Sequence, residues 1–318
     1  MAPWFLRRSP GSFTSGRGSA NNCWVRMENR EGPAMQSTPN AAELVSSERD
    51  TGVMVPASAT QSTASVLGKA QLLLTAFDRK QPVLGLTALA RRSGLPKATT
   101  YRLAQELVHV GFLERVAGGY QLGWRMFELG QLAPAAAILR QVAQPAMVDL
   151  CPATKAAIHL MVPRGLEVLC LEALAGRKEM CVRVPVGTRA PMWFTASGKL
   201  FLANDADCDS MVSQLDHEAA APPTRHSARS SDQLRVQVAA IRTHRWSRER
   251  EERFEGCKSI AVPITVGGCE QVVAALSATL DVNRRDEQNV TRFLQAAAAD
   301  ISHGLQLGNV SARSASRW

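Results

Sequence analysis

Lys97, Thr99, Thr100, Tyr101 and Arg102 are gathered in "LPKATTYRLAQEL" (95–107), with no acid among them. Cationic heads, hydroxyls and a phenol are the groups that meet phosphate oxygens and base edges. Arg115, further along the chain, is a sixth residue of that kind. Signals for catalysis are poorer. "TASGK" (195–199) is not G-x-S-x-G and lacks the glycine spacing of a phosphate loop. Ser197 and Lys199 stand two apart, and such positions face different ways on a helix. His159, His217, His226 and His244 have no recognisable triad partners. The seven cysteines (Cys23, Cys151, Cys170, Cys181, Cys208, Cys257 and Cys269) form no C-x-x-C pair, and no His stands at finger spacing. Neither a metal nor another cofactor nor a disulfide framework is expected; buried thiols in a reducing, cytoplasmic setting are.

A contact set of this kind needs a helix start held away from the body of its domain. "LTALARRSGLPKATTYRLAQEL" (86–107) supplies one, as two helices around a break at Ser93–Gly94. Gly94 suits the left-handed backbone of a tight turn, and Pro96 suits the first turn of the second helix. With Thr100 at the centre of that helix's buried face, Leu103, Ala104 and Leu107 share its stripe. Ala98, Arg102 and Gln105 then point away, while Thr99 and Tyr101 flank it. Before this pair, Val66, Leu67, Ala70, Leu73, Leu74 and Phe77 recur at helical spacing, ending near Asp78–Pro82. After it, Phe112–Val116 and Tyr120–Leu122 read as strands joined at Ala117–Gly118–Gly119. Three helices and a hairpin make a winged helix-turn-helix, with Arg115 on the wing. Residues 61–123 hold eight basic and three acidic side chains, a larger share of the chain's formal charge of +9 than their length would give. A double-stranded DNA partner is therefore expected, contacted by Lys97, Thr99, Thr100, Tyr101, Arg102 and Arg115.

The rest of the chain divides by composition. Residues 1–60 are rich in Ser, Gly, Pro, Asn and Thr without sustained periodicity, and are read as a disordered tail. Residues 124–150 read as a linker helix, with breaks allowed at Pro134 and Pro145. Over 151–308, strand-like runs at 156–162, 166–174, 180–186, 259–266 and 271–280 alternate irregularly with helical segments Ala196–Ala203, Asp232–Thr243 and Glu287–Leu307. That order predicts an α+β domain with an antiparallel sheet. Residues 309–318 are read as a disordered C-terminal tail. No run of about 18 apolar residues occurs, so no membrane partner is expected.

Five blocks, in order and spacing, resemble the IclR family of bacterial transcription regulators. They are "SVLGKAQLLLTAF", "LTALARRSGLPKATTYRLAQELVHVGFLER", "YQLGWRMFELG", "PVGTRAPMWFTASGKLFLA" and "EREERFEGCKSIAVPI". The resemblance spans about Ser65 to Leu307. It implies a winged helix-turn-helix, a linker helix, a GAF- or profilin-like effector domain, and homodimers or homotetramers on an operator. It also implies a small carboxylate effector, often an aromatic or keto acid. By matched position the effector residues are Ala196, Ser197, Glu249, Ser259, Ser277 and Thr279. Glu249 and Ser259 stand where the family commonly has Asp and Cys. The amides at the start of the 196–203 helix, with the Ser197 and Ser259 hydroxyls, can hold a carboxylate. Met180, Met192, Trp193 and Phe194 are candidates for an apolar wall, or for plain core or a dimer contact. The expected function is a ligand-responsive DNA-binding transcription regulator, not an enzyme. The residues alone leave two alternatives open: a small-molecule-converting enzyme with an accessory DNA-binding segment, and a helix-turn-helix interaction module that does not bind DNA.

Overall fold

The computed structural model describes residues 65–175, 184–214, 222–266 and 271–307. The tails expected over 1–60 and 309–318, most of the strand expected over 180–186, Met180 and His217 lie outside them; Val184–Val186 are not in a strand.

Helix α1 (Val66–Thr75) starts at Ser65, whose hydroxyl accepts from the Gly68 amide at 2.9 Å. This cap satisfies one of the amides a helix start leaves unpaired. With α2 (Leu86–Ser93) and α3 (Lys97–His109), it closes a small core of Leu73, Leu84, Leu89, Leu103, Leu107, Leu113 and Tyr120. Gly94, between α2 and α3, has φ 69°, with open space where a Cβ would sit. The turn therefore needs the left-handed backbone rather than the room. The Arg92 guanidinium donates to the Ala76 carbonyl at 3.0 Å, to Asp78 at 2.8 Å and to the Gln81 side chain at 2.7 Å. It pins α2 to the segment after α1 and is occupied there. Strands β1 (Leu113–Val116) and β2 (Gly119–Leu122) pair antiparallel around Ala117–Gly118, and Leu84 adds a bridge to Tyr120. Gln105 does not point away: it donates to the Tyr120 hydroxyl at 3.1 Å, since that buried phenol needs a partner.

The 124–150 segment is not one helix. Helix α4 (Trp124–Gln131) ends at Leu132, and α5 (Pro134–Thr154) begins with its proline in the first turn, where no amide donor is needed. Pro145, where a break was also allowed, lies inside a continuous α5. Its missing amide costs a helical hydrogen bond. The buried stripe Leu139, Ala143, Met147, Leu150 and Thr154 holds the helix together against the sheet. Helix α5 thus packs in the core of the second domain, which leaves α4 and Leu132–Ala133 as the connection.

That domain is mixed α+β. Its sheet runs β5 (Arg189–Pro191), β4 (Glu167–Leu174), β3 (Ala157–Arg164), β8 (Gln271–Asp281), β7 (Cys257–Val266), β6 (Ser247–Arg250), every pair antiparallel. One face packs on α5 and the last helix, α9 (Glu287–Leu307), through residues such as Leu160, Val262, Leu276, Leu294 and Ile301. The other is covered by a 3-10 turn (Met192–Phe194), α6 (Ala196–Asn204), α7 (Cys208–Ser213) and α8 (Ser231–His244).

Candidate DNA and effector sites

The start of α3 has no acid in its first turn. Its free amides and dipole favour an anion there. Lys97 and Arg102 are exposed, Tyr101 is 49% exposed, and Thr99 is half-buried. Neither cation makes an ion pair among the described residues. Arg115 is exposed on β1. Thr100 does not belong with them. It is fully buried, and its hydroxyl donates to the Pro96 carbonyl at 3.1 Å. The stripe that packs α3 on its neighbours claims it, so no base edge can reach it.

The second site grows from "TASGK". Thr195 caps α6, its hydroxyl accepting from the Gly198 amide at 3.0 Å. The Ala196 and Ser197 amides belong to the first turn, which has no intrahelical partner. Gly198 is required by contact: a Cβ there would lie 2.3 Å from the backbone of Met192. The helix start is thereby pressed onto the 3-10 turn. Lys199, fully buried, is paired with Glu252, just past β6. Burial lowers the Lys199 pKa, with Glu252 and Glu249 opposing the fall.

Beneath α6 the sheet carries polar side chains in two rows. Residues opposite one another on neighbouring strands share a face. One row is Glu249, Ser259, Thr279 and Ala157; the next is Ser247, Ala261, Ser277 and His159. Glu249, Ser247, Thr279, Ser277 and His159 are buried, and Ser259 is half-buried. Ser259 donates to Glu249 at 2.7 Å, and the Ser259 and Thr279 hydroxyls lie 3.2 Å apart. The other Glu249 oxygen accepts from the Glu252 amide at 2.9 Å. Burial raises the Glu249 pKa, and these two hydrogen bonds and Lys199 oppose the rise. His159 Nε2 accepts from the Val184 amide at 3.3 Å, which puts the ring proton on Nδ1. Trp193 Nε1, Ser247 Oγ and Glu252 Oε2 are buried without a hydrogen-bond partner among the described residues, and the Ser197 and Ser277 hydroxyls also make no hydrogen bond there.

The six matched effector residues thus fall on α6, β6, β7 and β8 on one side of the sheet. One expected role changes. The Ser259 proton is already committed to Glu249, so toward a ligand its oxygen accepts rather than donates. Met192, Trp193 and Phe194 are buried in the core between α6 and the sheet. Cys170 is beside them, its thiol pushed up to about 12 by burial, and so is inert. A surface groove of about 590 Å³ along Arg225, His226, Arg229 and Gln233 contains none of the matched residues. Sequence reasoning missed Lys199, Glu252, Arg253, His159 and Ser247 as parts of this region. The one legible signal was Lys199, a lone charge inside the apolar run "ASGKLFLA".

Comparison with known proteins decides the kinship. Residues 66–117 match the IclR helix-turn-helix domain, and residues 135–303 match the bacterial transcriptional regulator IclR C-terminal domain. The chain belongs to the IclR family. It is 26% identical over 244 residues to the HTH-type transcriptional regulator XynR of Escherichia coli, covering 74% of this chain and 95% of XynR. The Pca regulon regulatory protein of Pseudomonas putida is 26% identical over 246 residues, covering 75% and 83% of the two chains. A crystal structure of an IclR homologue from Microbacterium hydrocarbonoxydans, complexed with 4-hydroxybenzoate, is 27% identical with a TM-score of 0.70, covering 76% of this chain and 99% of that one. Like its IclR relatives, the chain is a DNA-binding transcription regulator with an N-terminal helix-turn-helix and a C-terminal effector-type domain. No described helix is long and apolar enough to cross a membrane.

Proposed function

We propose that this regulator senses a small organic acid, aromatic or keto, held between the start of α6 and the two polar rows of the sheet. The observation that carries this reading is the set of buried hydroxyls and donors on that face. Such groups are normally hydrogen-bonded when buried, and here several are not. A small acid supplies a carboxylate acceptor to them, and an apolar body suits the neighbouring Trp193 and Met192. The 4-hydroxybenzoate complex of the Microbacterium relative supports the class.

On DNA, the α3 start enters the major groove with Lys97, Thr99, Tyr101 and Arg102, and Arg115 reaches the backbone or minor groove from the wing. The working species is a homodimer or homotetramer. Support comes from α4, where Trp124 is 72% and Phe127 60% exposed, and from Leu67 of α1, 82% exposed. The Trp124 and Phe127 rings meet edge to face, and such an exposed apolar pair suits a protein contact. A thermal-shift screen of aromatic and keto acids tests the effector, because a ligand of the folded state raises the melting temperature. The double substitution Ser197→Ala, Ser259→Ala is then expected to abolish the acid's effect on DNA affinity. A double variant that responds like wild type would place the pocket elsewhere. Light scattering reads the assembly; a monomer at micromolar concentration would contradict the dimer.

A further inference from the structure

We infer that Arg253 is the group that takes the effector's carboxylate, an inference that rests on the small-acid reading above. Arg253 follows Glu252 in the connection between β6 and β7. Thr224 holds that connection by donating to the Glu251 carbonyl at 2.6 Å, and Ser227 by donating to the Glu252 carbonyl at 2.6 Å. The position of Arg253 is therefore fixed by its backbone. Its guanidinium is stacked over the Phe254 ring at 5.1 Å and makes no hydrogen bond or ion pair among the described residues.

Its place in the fold is set by its neighbours. Glu252, the residue before it, donates its amide to Glu249 at 2.9 Å and pairs its carboxyl with Lys199 of α6. Arg253 therefore leaves the chain where α6 meets the polar face at Glu249, in the row that carries Ser259 and Thr279, and its charge acts on Glu249. The Ser277 and Ser197 hydroxyls, each at least nine-tenths buried, are unpartnered on the same side of the sheet. Burial draws the Arg253 pKa down to about 10, which still leaves it cationic at neutral pH.

The chemistry selects the ligand. A guanidinium is a planar fork of five donors that matches the two oxygens of a carboxylate. A half-buried one with no acceptor from the protein gains a charge-assisted pair when such a partner arrives. The other cation of the cluster is not available, because Lys199 is paired with Glu252. Glu249 has its own donors in Ser259 and the Glu252 amide. Its carboxyl also repels an anion, so a bound carboxylate belongs on the Arg253 side and a hydroxyl of the ligand on the Glu249 side. The start of α6, with Ser197, adds donors but not the fork.

The test is calorimetric titration of the full chain and of Arg253→Gln and Arg253→Lys with 4-hydroxybenzoate and with pyruvate, each beside its carboxamide. The wild type is expected to prefer an acid to its amide by about tenfold or more. Arg253→Gln is expected to lose that preference, and Arg253→Lys to recover part of it, since charge remains but the fork is gone. Unchanged melting temperatures without ligand show that the variants fold; if Arg253→Gln does not fold, loss of most of the preference in Arg253→Lys decides. A wild type that prefers the acid, with variants that keep the preference in full, overturns Arg253 and leaves the effector reading standing. A wild type that binds neither acid overturns the effector reading itself.

Discussion

Single side chains divide the work of this protein between two charged sites. On α3, Arg102 and Lys97 are the exposed cations without ion-pair partners among the described residues, whereas Arg92 is spent on Asp78 and Gln81. Arg102→Ala is expected to cost about 1–3 kcal/mol of specific binding and to relax selectivity at one base position. Lys97→Ala is expected to weaken all DNA alike and to flatten the salt dependence by about one unit of slope. Wild-type affinity and slope in both variants, measured by anisotropy with fold intact by circular dichroism, would remove the α3 start from the interface. Under α6, Glu249 titrates in a buried setting that raises its pKa. A carboxyl that holds its proton more tightly folded than unfolded contributes most at acid pH. That contribution is lost as pH climbs from the ordinary carboxylate range through the folded value. The stability of the wild type relative to Glu249→Gln should therefore fall as pH rises above the ordinary carboxylate range, about pH 4, in urea titrations. A difference that rises with pH would mean that Lys199, Arg253, Ser259 and the Glu252 amide outweigh burial.

Elements whose own side chains mark their faces were legible in the sequence, and the others were not. Helix α9 was readable to its ends over Glu287–Leu307, because its buried positions Val290, Leu294, Ala297, Ile301 and Leu305 recur at helical spacing. Strand β6 was not, because "SRER" has no apolar residue. Its inward pair is Ser247 and Glu249, and its identity comes from backbone pairing with β7. Pro145 misled in the opposite direction, since packing of α5 on the sheet outweighs a local breaker. That the residues of "FTASGK" and "REREERFEGCKSIA" meet on one side of the sheet follows from the structure; the sequence marked both blocks but not their juxtaposition. The Lys199–Glu252 pair was not legible either, since no sequence rule joins a helix position to a hairpin 53 residues on. The "TASGK" motif makes its own prediction. Gly198→Ala places a methyl group 2.3 Å from the backbone of Met192. It should cost about 1–3 kcal/mol, because the obstacle is main chain and cannot swing aside. Gly94→Ala meets no atom and pays only for its backbone conformation, about 1 kcal/mol. Equal melting temperatures for Gly198→Ala and wild type would mean that α6 is not held against the 3-10 turn.

At the scale of the molecule, the helix-turn-helix and the domain that carries the proposed effector face share one chain, with α4 and Leu132–Ala133 between them. One further contact joins the two parts: the Arg79 guanidinium donates to the Val186 carbonyl at 2.8 Å. Val186 belongs to the segment whose Val184 amide donates to His159 of the second polar row. For an acid to control transcription it must bind two conformations of the protein unequally, and couplings of about 1–3 kcal/mol are typical. The most direct test is one titration: DNA from upstream of the regulator's own gene against the full chain, with and without the acid that most raises its melting temperature. The predicted result is tight binding that weakens steeply with salt, and an acid-induced change in Kd of about 5- to 150-fold. Binding no tighter than to unrelated DNA, or a Kd that the acid leaves unmoved, would contradict the account of a ligand-controlled regulator.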